Sequence, residues 1–281
     1  MLVQRIITAL VLLAILLPAL FAGSSIPFTA VVLVLMAAAS WEWGHMNGWS
    51  QGQSLGLAGL CLLVCGALWL AGWANTITPV VWQIAGALWV LVAVVLLKSG
   101  VPGWARIAKP VRMWGGMIAL VLAWLAVAQA RALGVEFLLS ILTLVWVADI
   151  AAYFSGRAFG KRKLAPSISP GKSWAGVYGA FVGVSLMVWL WVAADRLFGV
   201  PVPSLYLNLQ RQSWLLLAVG VVFLTTMSVV GDLVESLVKR SVGVKDSSNL
   251  LPGHGGVLDR IDALLPVLPL AMMLYSWTIV G

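Results

Sequence analysis

Charged side chains are scarce in this chain: Lys, Arg, Asp and Glu make up only 9% of its 281 residues, whereas 62% are hydrophobic. This balance excludes a soluble globular protein, because long apolar runs with few charges are typical of membrane spans. Cysteine is also rare. Cys61 and Cys65 lie one helical turn apart in an apolar segment, which favours small packing residues over a redox or metal-binding pair.

Apolar segments separated by short polar stretches account for most of the chain. Each is close to the roughly 20 residues that a helix needs to cross a bilayer. We therefore predict an all-α integral membrane protein, a polytopic bundle of about nine transmembrane helices. We expect the first segment to be retained rather than cleaved as a signal, since the second follows within a few residues. The predicted spans are 5–22, 26–43, 55–73, 78–97, 114–131, 135–154, 174–194, 213–231 and 263–280.

The basic residues are divided unequally between the two sides of this bundle. The N-terminus and the loops after even-numbered spans hold 14 Lys and Arg residues, whereas the opposite loops hold three, Arg131, Arg196 and Arg211. By the positive-inside rule, the N-terminus and the loops after even-numbered spans face the cytoplasm. The net charge of +8 is explained by this topology, and we expect no nucleic-acid partner.

The two halves of the chain differ in polarity. We divide it into N-terminal transmembrane helices, about five spans over 1–134, and a C-terminal catalytic membrane domain, 135–281, with about four spans and cytoplasmic loops. In the N-terminal part, Glu42 and His45 are expected to form an exposed interfacial pair between the second and third spans.

Polar residues concentrate between Gly231 and Asp262. These 32 residues hold five of the nine acidic side chains, four of the 17 basic ones and one of the two histidines. Charge beside a bilayer is costly, so such a cluster indicates a functional site. The segment from Gly231 to Val238 is expected to continue span eight as a helix, with Asp232, Ser236 and Lys239 on one face.

Residues near the start of the last span complete this cluster. Asp259 and Asp262 share a helical face, and Arg260 lies between them. Before them, the His254-Gly255-Gly256 turn would let the backbone approach a ligand closely. Carboxylates interleaved with Lys, Arg and glycine suit a Mg²⁺–polyphosphate complex, whereas one histidine without cysteine is a poor zinc site. The alternative is a salt-bridge network that joins the last two spans.

A second polar region begins in span six. Asp149 is expected to face the protein interior or an aqueous cavity, because its carboxylate is costly in lipid. The following loop is basic, and it either sets topology and contacts anionic headgroups or binds phosphate. The residues that give it this charge are Arg157, Lys161, Arg162, Lys163 and Lys172.

The Gly171-Lys172-Ser173 sequence does not form a P-loop. Pro166 stands where the first glycine of that motif would fall, and we predict no β-strand before it. Ser173 is instead expected to cap span seven, which would place Lys172 beside free N–H groups that suit a phosphate.

The polar stretch resembles the phosphatidate cytidylyltransferases, or CDP-diacylglycerol synthases. The family signature is matched without a gap by Ser236 to Arg240, by Lys245-Asp246, by His254 to Val257 and by Asp259 to Asp262. The upstream segment from Asp149 to Trp174 is also similar to the family. The five N-terminal spans match by hydropathy alone.

The resemblance implies a reaction of CTP with phosphatidic acid that gives CDP-diacylglycerol and pyrophosphate. It implies Mg²⁺ on Asp232 and Asp259, a second cation such as K⁺ nearby, and a homodimer in a bacterial-type cytoplasmic (inner) membrane. The catalytic residues would be Asp232, Lys239, Asp246 and Asp259. The substrate-binding residues would be Asp149, Lys172, Ser173, Ser236, Arg240, Lys245, His254, Gly255, Gly256, Arg260 and Asp262.

Two other functions are compatible with a charged cluster in a membrane protein. A transporter could relay ions through Asp149, Asp232 and Asp259, but its carboxylates would lie near mid-membrane and its halves would repeat. Here no repeat is visible and the charges gather at one face. The third possibility is a different membrane nucleotidyltransferase or phosphotransferase, and only the family signature argues against it.

Overall fold

The protein is described here by a computed structural model that covers residues 2–199 and 201–280 and is built almost entirely of helices. A short 3-10 helix, Trp73–Asn75, follows the third helix. In chain order the elements are α1 (Leu2–Phe21), α2 (Ile26–Met46), α3 (Gln51–Leu70), α4 (Pro79–Arg106), α5 (Lys109–Leu133), α6 (Val135–Phe159), β1 (Lys163–Ala165), β2 (Ser169–Ser173), α7 (Trp174–Phe198), α8 (Leu205–Gln212), α9 (Trp214–Ser241), α10 (Leu258–Ile261) and α11 (Leu264–Val280).

The predicted number of spans is confirmed. Over the residues that the structure describes, nine helical segments are long and apolar enough to cross a membrane, the last being Leu258–Ile279. The chain is thus an all-α, multi-pass membrane protein. Helix α9 extends to Ser241, so the prediction that span eight continues as a helix through Val238 is also confirmed.

Helix α11 lies at the centre of the bundle. It packs against α4, α5, α6, α8 and α9, and Val267, Leu270 and Met272 are fully buried in it. Helices of both chain halves therefore share one core, and our division at residue 134 stays a prediction. Cys61 and Cys65 are free and fully buried in the same core, as their packing role requires.

Close packing of α6 on α7 fixes the polar end of the bundle. A Cβ added at Gly179 would come within 1.9 Å of Ser155 Oγ, and one at Gly183 within 2.7 Å of Ala151 Cβ. Small residues thus let the two helix backbones approach, as is common in membrane bundles. The segment that joins these helices is held over their ends.

That joining segment contains the two strands. β1 and β2 pair antiparallel, with Lys163 opposite Ser173 and Ala165 opposite Ser169. Our expectation that no strand precedes the Gly171-Lys172-Ser173 sequence was therefore wrong, because β1 lies before that sequence and β2 contains it. A Pro-Gly pair is unfavourable in a central strand, but a two-stranded ribbon has only edges and tolerates it.

Candidate active site

Four segments meet at one end of the bundle: strand β2, the end of α9, the loop 242–257, and the start of α10 and α11. Helix α2 joins them from the N-terminal half, through contacts with α10. The residues predicted from the sequence lie on the first four segments and on α6. Their side chains form two adjoining sets of ion pairs and an exposed basic rim.

The first ion pair joins Lys172 to Asp232. Lys172 Nζ lies 2.6 Å from Asp232 Oδ2, and both side chains are partly exposed, by 23% and 31%. Ser236 Oγ donates to the other carboxylate oxygen of Asp232 at 3.2 Å, from one helical turn along α9. A partly exposed pair of this kind stabilises the fold by at most about 1 kcal/mol. Its position at the site is therefore better explained by binding than by stability.

Two further carboxylates surround this pair. Asp149 interacts electrostatically with both Asp232 and Lys172, and Asp262 interacts with Asp232 and Asp149. Asp149 is exposed, and Asp262 Oδ1 accepts the Ala263 backbone N–H at 2.8 Å. This acidic cluster thus holds three carboxylates, of which only Asp232 forms a salt bridge among the described residues.

The second set of ion pairs is centred on Lys239. Its Nζ contacts Glu235, one helical turn earlier on α9, and lies 2.6 Å from Asp259 Oδ1. The Glu235 and Asp259 side chains are only 5% exposed and that of Lys239 13%. Removing the lysine would leave two buried carboxylates without a cation, which is a costly arrangement.

Asp259 accepts four hydrogen bonds. Oδ1 receives Lys239, and Oδ2 accepts the Ser247 backbone N–H at 2.9 Å, Ser247 Oγ at 2.9 Å and the Gly256 N–H at 2.8 Å. Each carboxylate oxygen has about two lone-pair sites, so Oδ2 is fully occupied and Oδ1 retains one site. Asp259 therefore holds the loop 242–257 against the start of α10.

Glu42 was not predicted as a site residue, and our expectation of an exposed Glu42–His45 pair was wrong. Glu42 is completely buried, whereas His45 is exposed and stacks on Trp41. The Glu42 carboxylate accepts the backbone N–H groups of Val257 at 2.9 Å and Leu258 at 2.8 Å.

The Glu42 carboxylate also binds the loop from its other side. Ser248 Oγ donates to it at 2.5 Å, and Ser247 Oγ, whose one proton is also within reach of Asp259 Oδ2, lies 3.2 Å away. The only signal in the sequence was an acidic residue inside an apolar span. Nothing local indicates a partner more than 200 residues away.

The two glycines after His254 make room for these carboxylates. Gly255 has φ +82°, and a Cβ there would lie 2.7 Å from Asp259 Oδ2. A Cβ at Gly256 would lie 2.0 Å from Ser247 Oγ and 2.4 Å from Glu42 Oε1. The close backbone approach that we expected is made here to the protein's own acidic side chains.

An exposed basic rim surrounds the two sets of ion pairs. Arg240, Lys245 and Arg260 are exposed, and within residues 2–199 and 201–280 none of them forms a salt bridge. Arg240 Nε donates to the Ile168 carbonyl at 3.4 Å, and an Arg260 guanidinium nitrogen donates to the His254 carbonyl at 2.8 Å. The rim keeps cationic groups available to an anionic ligand.

Three other predicted residues take different positions. Asp246 is exposed beside Gly255, with its Cβ 3.4 Å from the position of an added glycine Cβ. His254 Nδ1 is buried and has no hydrogen-bond partner in the described part of the chain. Ser173 Oγ accepts the Gly176 N–H at 3.2 Å, which confirms the predicted N-cap of the seventh span.

The donor chemistry around Asp232 fits a divalent cation. The acidic cluster contains the carboxylates of Asp149, Asp232 and Asp262, and hard cations prefer such oxygen ligands. Over the described residues, however, no group of three His, Cys, Asp or Glu side chains is already arranged around one point. Each oxygen of Asp232 and the Oδ1 atom of Asp259 receives one donor, so both carboxylates retain acceptor capacity beside a lysine.

Comparison with known proteins shows one family over nearly the whole chain. The sequence matches the Cytidylyltransferase family from residue 3 to residue 278. It is 40% identical to a phosphatidate cytidylyltransferase of Pseudomonas aeruginosa, over 96% of this chain and 95% of that protein. It is 34% identical to a Haemophilus influenzae protein of the same name, over 99% of this chain and 100% of that protein.

Proposed function

The chain belongs to the cytidylyltransferase family, and we propose that it transfers the cytidylyl group of CTP to phosphatidic acid, giving CDP-diacylglycerol and pyrophosphate. The named relatives cover almost the entire chain, and both are phosphatidate cytidylyltransferases. The site supports this activity because it places lysine and arginine side chains beside carboxylates at one end of an apolar bundle. That is where a lipid phosphate and a water-soluble nucleotide can meet.

The reaction is an in-line displacement at the α-phosphorus of CTP. A phosphate oxygen of phosphatidic acid forms the new P–O bond, and the bond to the oxygen that bridges to the β-phosphorus breaks. The leaving group is pyrophosphate. A phosphomonoester has its second pKa near 6 and is largely dianionic at pH 7, so the attack needs no strong general base. It needs two polyanions to be brought together.

The basic side chains reduce the repulsion between these anions. Lys172 and Lys239 bind carboxylates in this structure, and a phosphate oxygen can exchange for either partner. Arg240, Lys245 and Arg260 form the exposed rim, where they would bind CTP phosphates, and arginine can do so in bidentate fashion. Charge held in place in this way stabilises the transition state and the leaving pyrophosphate.

His254 and Ser236 complete the proposed binding residues. The buried Nδ1 of His254 has no hydrogen-bond partner among the described residues, so the imidazole can orient a phosphate or protonate pyrophosphate, and we favour orientation. Ser236 orients the Asp232 carboxylate. Asp246 and Ser173 keep the roles that the resemblance implies, in catalysis and substrate binding.

Mg²⁺ is the proposed cofactor, held by Asp232 and Asp259. Bound there, it would neutralise charge on the phosphates and on the leaving group. Both carboxylates would hold it through oxygens that face a lysine in this structure, Lys172 beside Asp232 and Lys239 beside Asp259. The carboxylates of Asp149 and Asp262 form no salt bridge among the described residues, which supports binding of a second cation such as K⁺.

The proposed location is a bacterial-type cytoplasmic membrane, with the N-terminus and the site on the cytoplasmic side. The distribution of 14 and three basic residues supports this orientation, and CTP is supplied from the cytoplasm. We further propose a homodimer, as the resemblance implies.

The observation that best supports this proposal is that Lys172 and Lys239 both pair with carboxylates at the same end of the bundle. It is tested by incubating the purified protein in detergent with labelled CTP, phosphatidic acid and Mg²⁺. We expect labelled CDP-diacylglycerol and an equal amount of pyrophosphate. A transporter would produce neither, and a different nucleotidyltransferase would need another acceptor.

A further inference from the structure

An apolar groove runs along the bundle next to the acidic cluster. It lies between α4, α5 and α9 and encloses about 280 Å³. Its walls are formed mainly by aliphatic side chains, several of which face the outside of the bundle, so the groove is open to lipid from the side. Those that define it here are Val92, Leu96, Ile118, Leu122, Val234 and Val238.

One wall of the groove is the back of the candidate active site. Glu235 and Asp262 both line it, although the rest of the lining is largely apolar. Glu235 contacts Lys239, and Asp262 interacts with Asp232. A ligand with its tail in the groove would therefore have its polar end beside the two sets of ion pairs.

The groove has the length of one leaflet. Arg112 and Leu122, which both line it, are ten residues apart on α5, or about 15 Å at 1.5 Å per residue. The hydrocarbon of one leaflet is also about 15 Å deep. An extended acyl chain matches this depth, whereas a nucleotide has no apolar part of that size.

A positively charged side chain, that of Arg112, lies at one end of the groove. Arg112 lies in the first turn of α5, and its guanidinium stacks over the Trp104 ring at 5.8 Å. Its Nε is buried and has no hydrogen-bond partner in the described part of the protein. Trp43 and Trp104 also line this end, and tryptophan and arginine together are typical of the headgroup level.

We propose that this groove holds an acyl chain of the phosphatidic acid substrate and that Arg112 binds its headgroup. The inference rests on the proposed function and adds the path by which the lipid reaches the site. This groove differs from the remaining lipid-facing surface, which bulk lipid covers, because Glu235 and Asp262 of the candidate active site line it.

Gly115 provides a direct test. It lines the groove, and a Cβ added there would meet no atom within 4 Å, so Gly115→Phe places a ring in the groove without moving the backbone. Gly59 on α3 has the same open surroundings and lies outside the groove, so Gly59→Phe is the matched control. Phenylalanine is also a better helix former than glycine at either position.

The assay compares dioleoyl- with dihexanoyl-phosphatidic acid as substrate. In Gly115→Phe we expect the KM for both lipids to rise roughly tenfold, because Gly115 lies one helical turn from Arg112 and within reach of a six-carbon chain, while the KM for CTP stays near wild type. Gly59→Phe should match wild type with both lipids. An unchanged KM for CTP also shows that the Gly115→Phe protein is folded.

A second variant tests the headgroup contact. Arg112→Gln should raise the KM for both lipids and leave that for CTP unchanged, because the contact is made to the part that the lipids share. Unchanged KM values for the lipids in both variants, or a rise in the KM for CTP as large as that for the lipids in Gly115→Phe, would overturn the groove assignment. No turnover by wild type with any phosphatidic acid would instead overturn the proposed function, and this inference with it.

Discussion

The Glu42 carboxylate accepts the backbone N–H of Leu258 at 2.8 Å, across 216 residues of chain. It binds the Val257 N–H and two serine hydroxyl groups of the same loop as well. A completely buried acid on α2 thus fixes the loop that carries the His254-Gly255-Gly256 turn. The N-terminal spans therefore take part in building the site, in addition to anchoring it in the bilayer.

Glu42→Ala is expected to loosen this loop. The mutation leaves the buried N–H groups of Val257 and Leu258 without an acceptor, at a cost of about 1–3 kcal/mol each. We expect faster amide hydrogen exchange at these two residues and a lower kcat. Glu42→Gln retains one acceptor oxygen and should lie between wild type and Glu42→Ala. Glu136→Gln, a partly buried acid at the start of α6, serves as the control. Unchanged exchange at Val257 and Leu258 would contradict the account.

Lys172→Ala is expected to raise the KM for a phosphate-bearing substrate more than it lowers kcat. The reason is that Lys172 binds before the reaction occurs, and its pairing with Asp232 places it beside the acidic cluster. Lys163→Ala provides the control, since Lys163 is exposed on the neighbouring strand and has no salt bridge among the described residues. An unchanged KM would mean that the basic loop serves topology alone.

Cysteine labelling tests the proposed orientation. Lys161→Cys, in the exposed part of the basic loop, should react with an impermeant thiol reagent only from the cytoplasmic side. Pro201→Cys, exposed before α8, should react only from the opposite side. Cys61 and Cys65 are fully buried and should not react with the reagent. Labelling of both positions from the same side would contradict the nine-span topology.

Features set by local chemistry were predictable from the sequence. The nine spans follow from runs of apolar residues, and the N-cap of α7 follows from Ser173 standing before a helix-forming segment. The continuation of α9 through Val238 was visible in the spacing of its polar residues. Each of these depends on neighbours within a few residues.

Features set by distant contacts were not predictable. The burial of Glu42 depends on a loop more than 200 residues away. The hydrogen bonds that Asp259 accepts come in part from Lys239 and Ser247, which lie on two other segments. We did not predict the β1–β2 ribbon, because a Pro-Gly pair usually interrupts regular secondary structure. The ribbon's two ends are joined to α6 and α7, which pack closely on each other through residues outside the ribbon.

The proposed metal site depends above all on Asp232. Asp232→Asn keeps the shape and hydrogen-bonding capacity of the side chain but removes its charge, so it isolates the electrostatic contribution. If Asp232 and Asp259 hold the same ion, the effects of removing them should be non-additive, because the second ligand matters little once the ion is lost. Mg²⁺-dependent CTP turnover of the two single variants and the double variant measures this. Additive losses of activity would contradict a shared ion.

The most direct measurement combines turnover with stability for wild type and Asp232→Asn. CDP-diacylglycerol formation from CTP, phosphatidic acid and Mg²⁺ is followed beside thermal unfolding in the same detergent. Wild type should form the product only when both substrates and the metal are present. Asp232→Asn should unfold near the wild-type temperature and lose activity by about 100-fold or more. Near-normal turnover in a stable Asp232→Asn protein, or no product from wild type, would contradict the account.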